Sequence, residues 1–179
     1  MESSWLLLIY TVPAEPTRKR AFIWREVKKV GAVYLRDGVC ILPERPETLA
    51  ALKAIVAKIE EFEGQASLVH GARLEAARAA AVVEQFGSTR LAEYAEIAGE
   101  AGRLLQHVAH ETEHRDFSYT ELEELESDLG KLRRWTDQVR ARDYFSAGPG
   151  QPLQDLLQQC EDALAAFLEK AAAVEGAAG

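Results

Sequence analysis

The chain is 179 residues long, 47% hydrophobic and 28% charged, with a formal net charge of −8. These values describe a globular protein of one large or two small domains and exclude a disordered chain. The acidic balance also excludes a polycation that coats nucleic acid or an anionic membrane, so any bound anion must be held by a local basic patch.

The start, Met1 to Ser4, lacks the charged n-region of a signal peptide, and the apolar run after it is too short to span a bilayer. The expected location is the cytoplasm, with no membrane partner. No internal repeat is found. Two cysteines, Cys40 and Cys160, in a reducing compartment argue against a disulfide framework.

In chain order, Leu6 to Thr11 is a near-continuous apolar run that predicts a strand covered on at least one face. Pro13 and Pro16 end it, and a helix follows over about Glu15 to Val30. Ile23, Val27 and Val30 share one helical face, with Trp24 beside them. The opposite face carries Arg18, Arg25 and Lys29 with Phe22 among them, expected to be exposed, and Lys19, Arg20 and Lys28 flank that stripe. Gly31 suits the position just past the helix end. Ala32 to Arg36 and Val39 to Leu42 predict two strands, joined at Asp37-Gly38, a strong hairpin signal because the turn needs positive φ. A second helix over about Glu47 to Phe62 buries Leu49, Leu52, Ile55, Ile59 and Phe62, Gly64 stops it, and Ala66 to Leu74 is a last strand. The order βαββαβ is the ferredoxin-like split βαβ plan.

From Glu75 onward the pattern is helical. A short alanine-rich helix over Ala76 to Phe86 leads to a break at Gly87-Ser88. Leu91, Tyr94, Ala98, Ala101, Leu104 and Val108 mark a long helix, and Leu122, Leu125, Leu129, Leu132, Trp135 and Val139 mark another. Ser118 with Glu121 is a capping-box signature at the start of that helix. Gly148-Pro149-Gly150 is a turn, and Leu153 to Phe167 defines a final helix whose tail, Ala171 to Gly179, is expected to fray. The fold class is therefore α+β: a ferredoxin-like domain over residues 1–74 followed by an α-helical bundle or hairpin domain over residues 75–179.

Several of these stretches resemble one family. Trp5 to Tyr10, Val12-Pro13-Ala14-Glu15, Trp24-Arg25, Gly31 to Val39 and Leu42-Pro43 look like the N-terminal region of ChrB, the regulators associated with bacterial chromate-resistance operons. Glu121 to Glu126, Lys131 to Trp135 and Arg140 to Phe145 fit the same region, so the resemblance covers most of the chain. It implies a chromate-linked transcriptional regulator, with kinship to the sheet domain of PaaX-type repressors and to a small CRISPR adaptation protein of the same fold. Full-length ChrB-like proteins carry a C-terminal chromate-resistance domain, and PaaX-type repressors carry a winged helix ahead of the sheet. Neither pattern occurs within these 179 residues, so a half that works with a separately encoded sensing domain is one expectation.

Five groups of residues are candidates for chemistry. Some relatives of this fold place an aspartate at the end of the first strand to hold a divalent cation for nuclease chemistry. Thr11 stands there in this chain, and threonine is a poor substitute for a carboxylate. The basic stripe Arg18, Lys19, Phe22, Arg25, Lys28 and Lys29 suits phosphate contacts with a stacked base, a subunit or domain contact, or a solvated face. His107, His110 and His114, spaced three and four apart, suit a metal ion or simply favour a helix C-terminus. No fourth ligand is apparent in the sequence.

Arg133, Arg134, Arg140 and Arg142 suit an oxyanion such as chromate, a tetrahedral dianion, or carboxylate pairing that locks the bundle. Cys40 reads as core within its strand, and Cys160 lies on the apolar face of the last helix; burial argues against a chromate-reducing couple. No Ser-His-Asp pattern, phosphate-cradling glycine loop or Cys-x-x-Cys is found.

The leading expectation is a non-enzymatic regulator that needs no cofactor, forms a homodimer, and contacts DNA through its basic helix. The rival is a protein-interaction or dimerisation module that works with a separate chromate-sensing domain. A metal-dependent nuclease is the weakest contender.

Overall fold

The computed structural model describes residues 4–177. The chain divides into two compact units, Met1–Gly87 and Ser88–Gly179. In order it contains β1 (Trp5–Thr11), α1 (Thr17–Lys29), β2 (Val33–Arg36), β3 (Val39–Pro43), α2 (Pro46–Glu61), β4 (Gln65–Ala72), α3 (Ala76–His114), α4 (Tyr119–Ala141) and α5 (Gly150–Ala177). Among the described residues, no helix is long and apolar enough to cross a membrane.

The first unit has the βαββαβ order that the apolar periodicity predicts. Its four strands form one antiparallel sheet in the order β2-β3-β1-β4. β1, the most apolar strand, lies inside the sheet between β3 and β4 and is buried chiefly on the face turned to the helices. Pairing sets Leu6 opposite Leu42 and Leu8 opposite Cys40. These four are buried, as are Ile23 and Val27 of α1 and Leu52, Ile55 and Ile59 of α2. Trp5 points to the other face of the pleat and stacks on Phe86 of α3, with ring centroids 6.2 Å apart.

Gly38 decides the β2–β3 turn. It takes φ +69°, and a Cβ there would lie 2.5 Å from the Tyr10 carbonyl oxygen. The Gly38 carbonyl in turn accepts a 2.7 Å bond from the Tyr10 amide, fastening the hairpin to the end of β1. Gly31 likewise takes positive φ, 78°, just past α1. β4 carries an irregularity opposite Trp5 and Leu7. Gly71 there takes φ +64°, and its amide donates to the Glu44 carboxylate at 3.0 Å.

In the second unit α3, α4 and α5 share one apolar core that includes Tyr94, Ile97, Leu104, Leu125, Leu132, Leu153 and Phe167. α3 and α4 run antiparallel: His107 of α3 meets Glu121 near the start of α4, and Glu93 near the start of the unit meets Arg142 just past the end of α4. Arg90 is buried on this seam, its Nε 2.9 Å from the Glu93 carboxylate. Glu93 therefore bridges two guanidiniums. Asp143 completes the knot by accepting from the amides of Ala147 (2.9 Å) and Gly148 (2.6 Å) and from the Tyr94 hydroxyl (3.3 Å).

Two local expectations are corrected. α3 runs unbroken through Gly87-Ser88: a glycine costs a helix interior only about 1 kcal/mol, and Val82, Phe86 and Arg90 on either side are all buried. α5 does not fray from Ala171 but continues to Ala177, as a run of good helix formers allows; residues 178–179 lie outside the described residues.

Replacing Gly38 with alanine should lower stability by about 1–3 kcal/mol, because strain at positive φ adds to the clash with Tyr10. Urea unfolding should show a lower midpoint with an unchanged slope.

Candidate functional site

The basic helix α1 is built against its own dipole. Its first turn holds no acid and carries Arg18, Lys19 and Arg20, where the helix end is already partly positive. Lys28 and Lys29 at the other end suit the dipole. Lys19 is offset by the Phe62 carbonyl at 3.5 Å and Glu63 at 3.7 Å. Arg18, Arg25 and Lys29 are exposed, and among the described residues they enter no ion pair.

The aromatic companion of this stripe differs from the one expected. Phe22 is half-buried, not exposed: it meets Phe62 edge-on at 5.6 Å and lies under Lys58 at 5.8 Å. Burying it against α2 is the better use of an apolar ring that falls on that flank. Trp24 is the exposed ring, with 50% of its surface free and Lys28 Nζ 4.7 Å from its centroid.

Trp24 and Arg20 overhang an open cleft of about 940 Å³ floored by Tyr10 and Thr11 at the end of β1 and walled by Tyr34 and Asp37. The Tyr10 and Tyr34 hydroxyls are 2.7 Å apart, and burial raises the pKa of both. At neutral pH they are therefore a pair of neutral phenols. The lining holds one guanidinium, Arg20, and one carboxylate, Asp37.

Three of the four arginines expected to suit an oxyanion meet different carboxylates. Arg133 binds Glu161 of α5 at 2.6 and 2.9 Å, Arg140 lies 3.5 Å from Asp137 on its own helix, and Arg142 binds Glu93 at 2.8 Å. Arg134 is exposed and lies over Gly130. The three histidines also separate. His110 and His114 form a tilted ring pair with centroids 4.1 Å apart, and His114 Nδ1 lies 2.9 Å from the His110 carbonyl. His107 faces Glu111 and Glu121, and His110 Nε2 also lies 3.9 Å from Glu111.

As site residues, Arg20, Trp24 and Tyr34 were not singled out by sequence reasoning, nor was Arg90 as a buried base of the helical seam. Arg90 could have been found, since it lies four residues before Tyr94 and seven before Ile97, on the apolar line of α3.

The family described as "Protein ChrB, N-terminal" matches residues 20–177. The chain belongs to that family. It is also similar to the protein named ChrB from Cupriavidus metallidurans, 34% identical over 64 residues that make up 36% of this chain and 20% of that protein. The match to this curated ChrB relative therefore spans about a fifth of the relative's length. No solved structure matches.

Both cysteines are buried. Burial pushes the Cys40 thiol up to about 12 and raises Cys160 as well, whose Sγ donates to the Ala101 carbonyl at 3.4 Å. Since the thiolate is the reactive form, an aromatic disulfide reagent at pH 8 should modify both at least about 100-fold more slowly in the native chain than in urea. Fast native labelling of either thiol would contradict this placement.

Proposed function

We propose that this ChrB-family chain is a chromate-resistance-linked regulatory protein that acts in the cytoplasm and contacts nucleic acid through the exposed face of α1. One observation carries the reading: Arg18, Arg25 and Lys29 stand in solvent without carboxylate partners among the described residues, beside a half-exposed Trp24. Cations left without such partners gain little for stability alone, and Arg18 stands in the turn where the helix dipole opposes it. They gain from a polyanion, whose condensed counterions they release. An exposed indole beside them supplies a face on which a base stacks.

The test is binding to the DNA upstream of the chain's own operon, measured across a salt series. The affinity should fall with salt and favour the operator over scrambled DNA. Replacing Arg18, Arg25 and Lys29 together with alanine should flatten the slope of log K against log salt by about 0.9 for each phosphate no longer neutralised. An unchanged slope removes α1 from the interface.

A second reading, contact between two copies of the chain, is favoured by the outer face of the sheet. Ile9 is 46% exposed and Val69 is 38% exposed, and both side chains project from that face beside Leu7, which pairs with Val69. Under this reading sedimentation equilibrium should give a dimer, and Ile9→Lys should shift it toward monomer, because a desolvated ammonium is costly in such a contact.

A further inference from the structure

The end of the α3–α4 hairpin carries a second cluster that the α1 reading does not use. His107 and Glu111 lie one turn apart on α3, and Glu121 comes from the first turn of α4. Their ligand atoms all lie within 4.8 Å of one another. His107 Nε2 is 2.9 Å from Glu121 Oε1 and 3.7 Å from Glu111 Oε1. His110 Nε2 stands on the rim, 3.9 Å from the same Glu111 oxygen.

Glu121 is not where its sequence context would send it. In a capping box its carboxylate would reach back to the Ser118 amide. The Ser118 hydroxyl does accept from the Glu121 amide, at 3.4 Å. The Ser118 amide, however, donates to Asp116 Oδ1 at 3.2 Å. Asp116 has taken over the return bond and leaves the Glu121 carboxylate free to cross to α3. Its Oε1 is buried and accepts no aligned hydrogen bond, even from His107.

The charges do not balance within the protein. Burial disfavours the charge on Glu121; Glu111, Glu124 and Asp116 act in the same sense, and His107 opposes them. Even a fully protonated His107 leaves its two carboxylate neighbours with an excess negative charge. A neutral imidazole and two carboxylates around a divalent cation would remove both the excess and the orphaned oxygen.

We propose that His107, Glu111 and Glu121 form a binding site for a first-row divalent transition metal, with His110 on its rim. One imidazole nitrogen with two carboxylate oxygens is a donor set for zinc and its neighbours, whereas calcium and magnesium take oxygen alone. Tetrahedral ligands at about 2.0–2.2 Å from zinc lie closer together than the 3.7 Å between His107 and Glu111, so binding would draw the ligands together. The metal would staple the turn between α3 and α4. Binding would weaken as pH falls, because the imidazole and the carboxylates must be deprotonated to ligate.

The test uses the 179-residue chain, purified without a histidine tag and stripped with a chelator. Titration with zinc chloride by calorimetry should give one site per chain, with a rise in melting temperature. Cobalt(II) should give the intense visible bands of a low-coordinate nitrogen–oxygen site. Glu121→Gln and, separately, Glu111→Gln should weaken zinc at least about 100-fold, more than the 10–100-fold typical of outer-shell changes, and abolish the thermal shift. His114→Ala should leave both unchanged. Circular dichroism of the metal-free variants checks their folding, and the two glutamine variants act as independent probes should one fail to fold. The proposal is overturned if the wild-type chain binds no zinc, if both glutamine variants bind as well as wild type, or if His114→Ala is the change that removes binding.

Discussion

The surface that α1 presents depends on the burial of two side chains, Ile23 and Val27. Four residues apart, they set the rotation of the helix about its axis, because both must face the sheet. Arg18, Arg25 and Lys29 then have no choice but solvent. Phe22 and Trp24 sit about 100° to either side of Ile23, so one is turned toward α2 and the other toward the β2–β3 hairpin. Phe22 gains Phe62 as a neighbour, and Trp24 is left at the lip of the cleft. Helical periodicity distinguishes front from back in such a helix, but the two flanks look alike in it. Which flank is covered depends on where the second crossover lays α2, and that is a property of chain handedness.

The same reasoning marks what could be read from the sequence and what could not. The strands, the helix order and the Asp37-Gly38 turn follow from local signals: apolar alternation or runs, helical spacing, and a glycine where φ must be positive. Gly38 shows how far such a signal reaches, since the residue chosen for its turn is also the one whose missing Cβ admits the Tyr10 carbonyl. The supposed break at Gly87-Ser88 shows where local signals fail. A helix penalty of about 1 kcal/mol is small beside the burial of a phenylalanine, and the burial of Phe86 is decided by Trp5, eighty-one residues earlier.

The candidate sites were less legible, for a related reason. Spacings of three and four group side chains on one helix, so His107, His110 and His114 looked like a set. The structure sorts them by what approaches from outside that helix. The chain reverses at Arg115, which takes φ +57°, and the first turn of α4 then lies against the last turns of α3. His107 meets Glu121 there, while His110 and His114 stack on each other. Glu121 was hidden because its position fits a capping box, and the substitution of Asp116 for it shows only in the geometry. The arginines in and just past α4 are likewise sorted by the carboxylates around them. Arg133, Arg140 and Arg142 follow one another along the chain, yet Arg133 meets Glu161, Arg140 lies near Asp137, and Arg142 shares Glu93 with Arg90.

The charge of the whole chain bears on how the proposed nucleic-acid contact would work. Helix α1 carries six of the twenty-one basic side chains in a protein whose net charge is −8. Away from that helix the chain is more acidic still, and a polyanion is repelled there. At physiological ionic strength such fields act over about 8 Å, so the repulsion and the attraction are felt as separate patches. Under the proposed reading, a duplex or single strand would be favoured where Arg18, Arg25 and Lys29 face it and disfavoured over the acidic remainder. The acidic remainder would then aid selectivity, lowering the affinity for phosphate in general and biasing the orientation of the contact. A chain with the same helix and a basic remainder would bind more tightly but in many poses, and so would discriminate less among sequences.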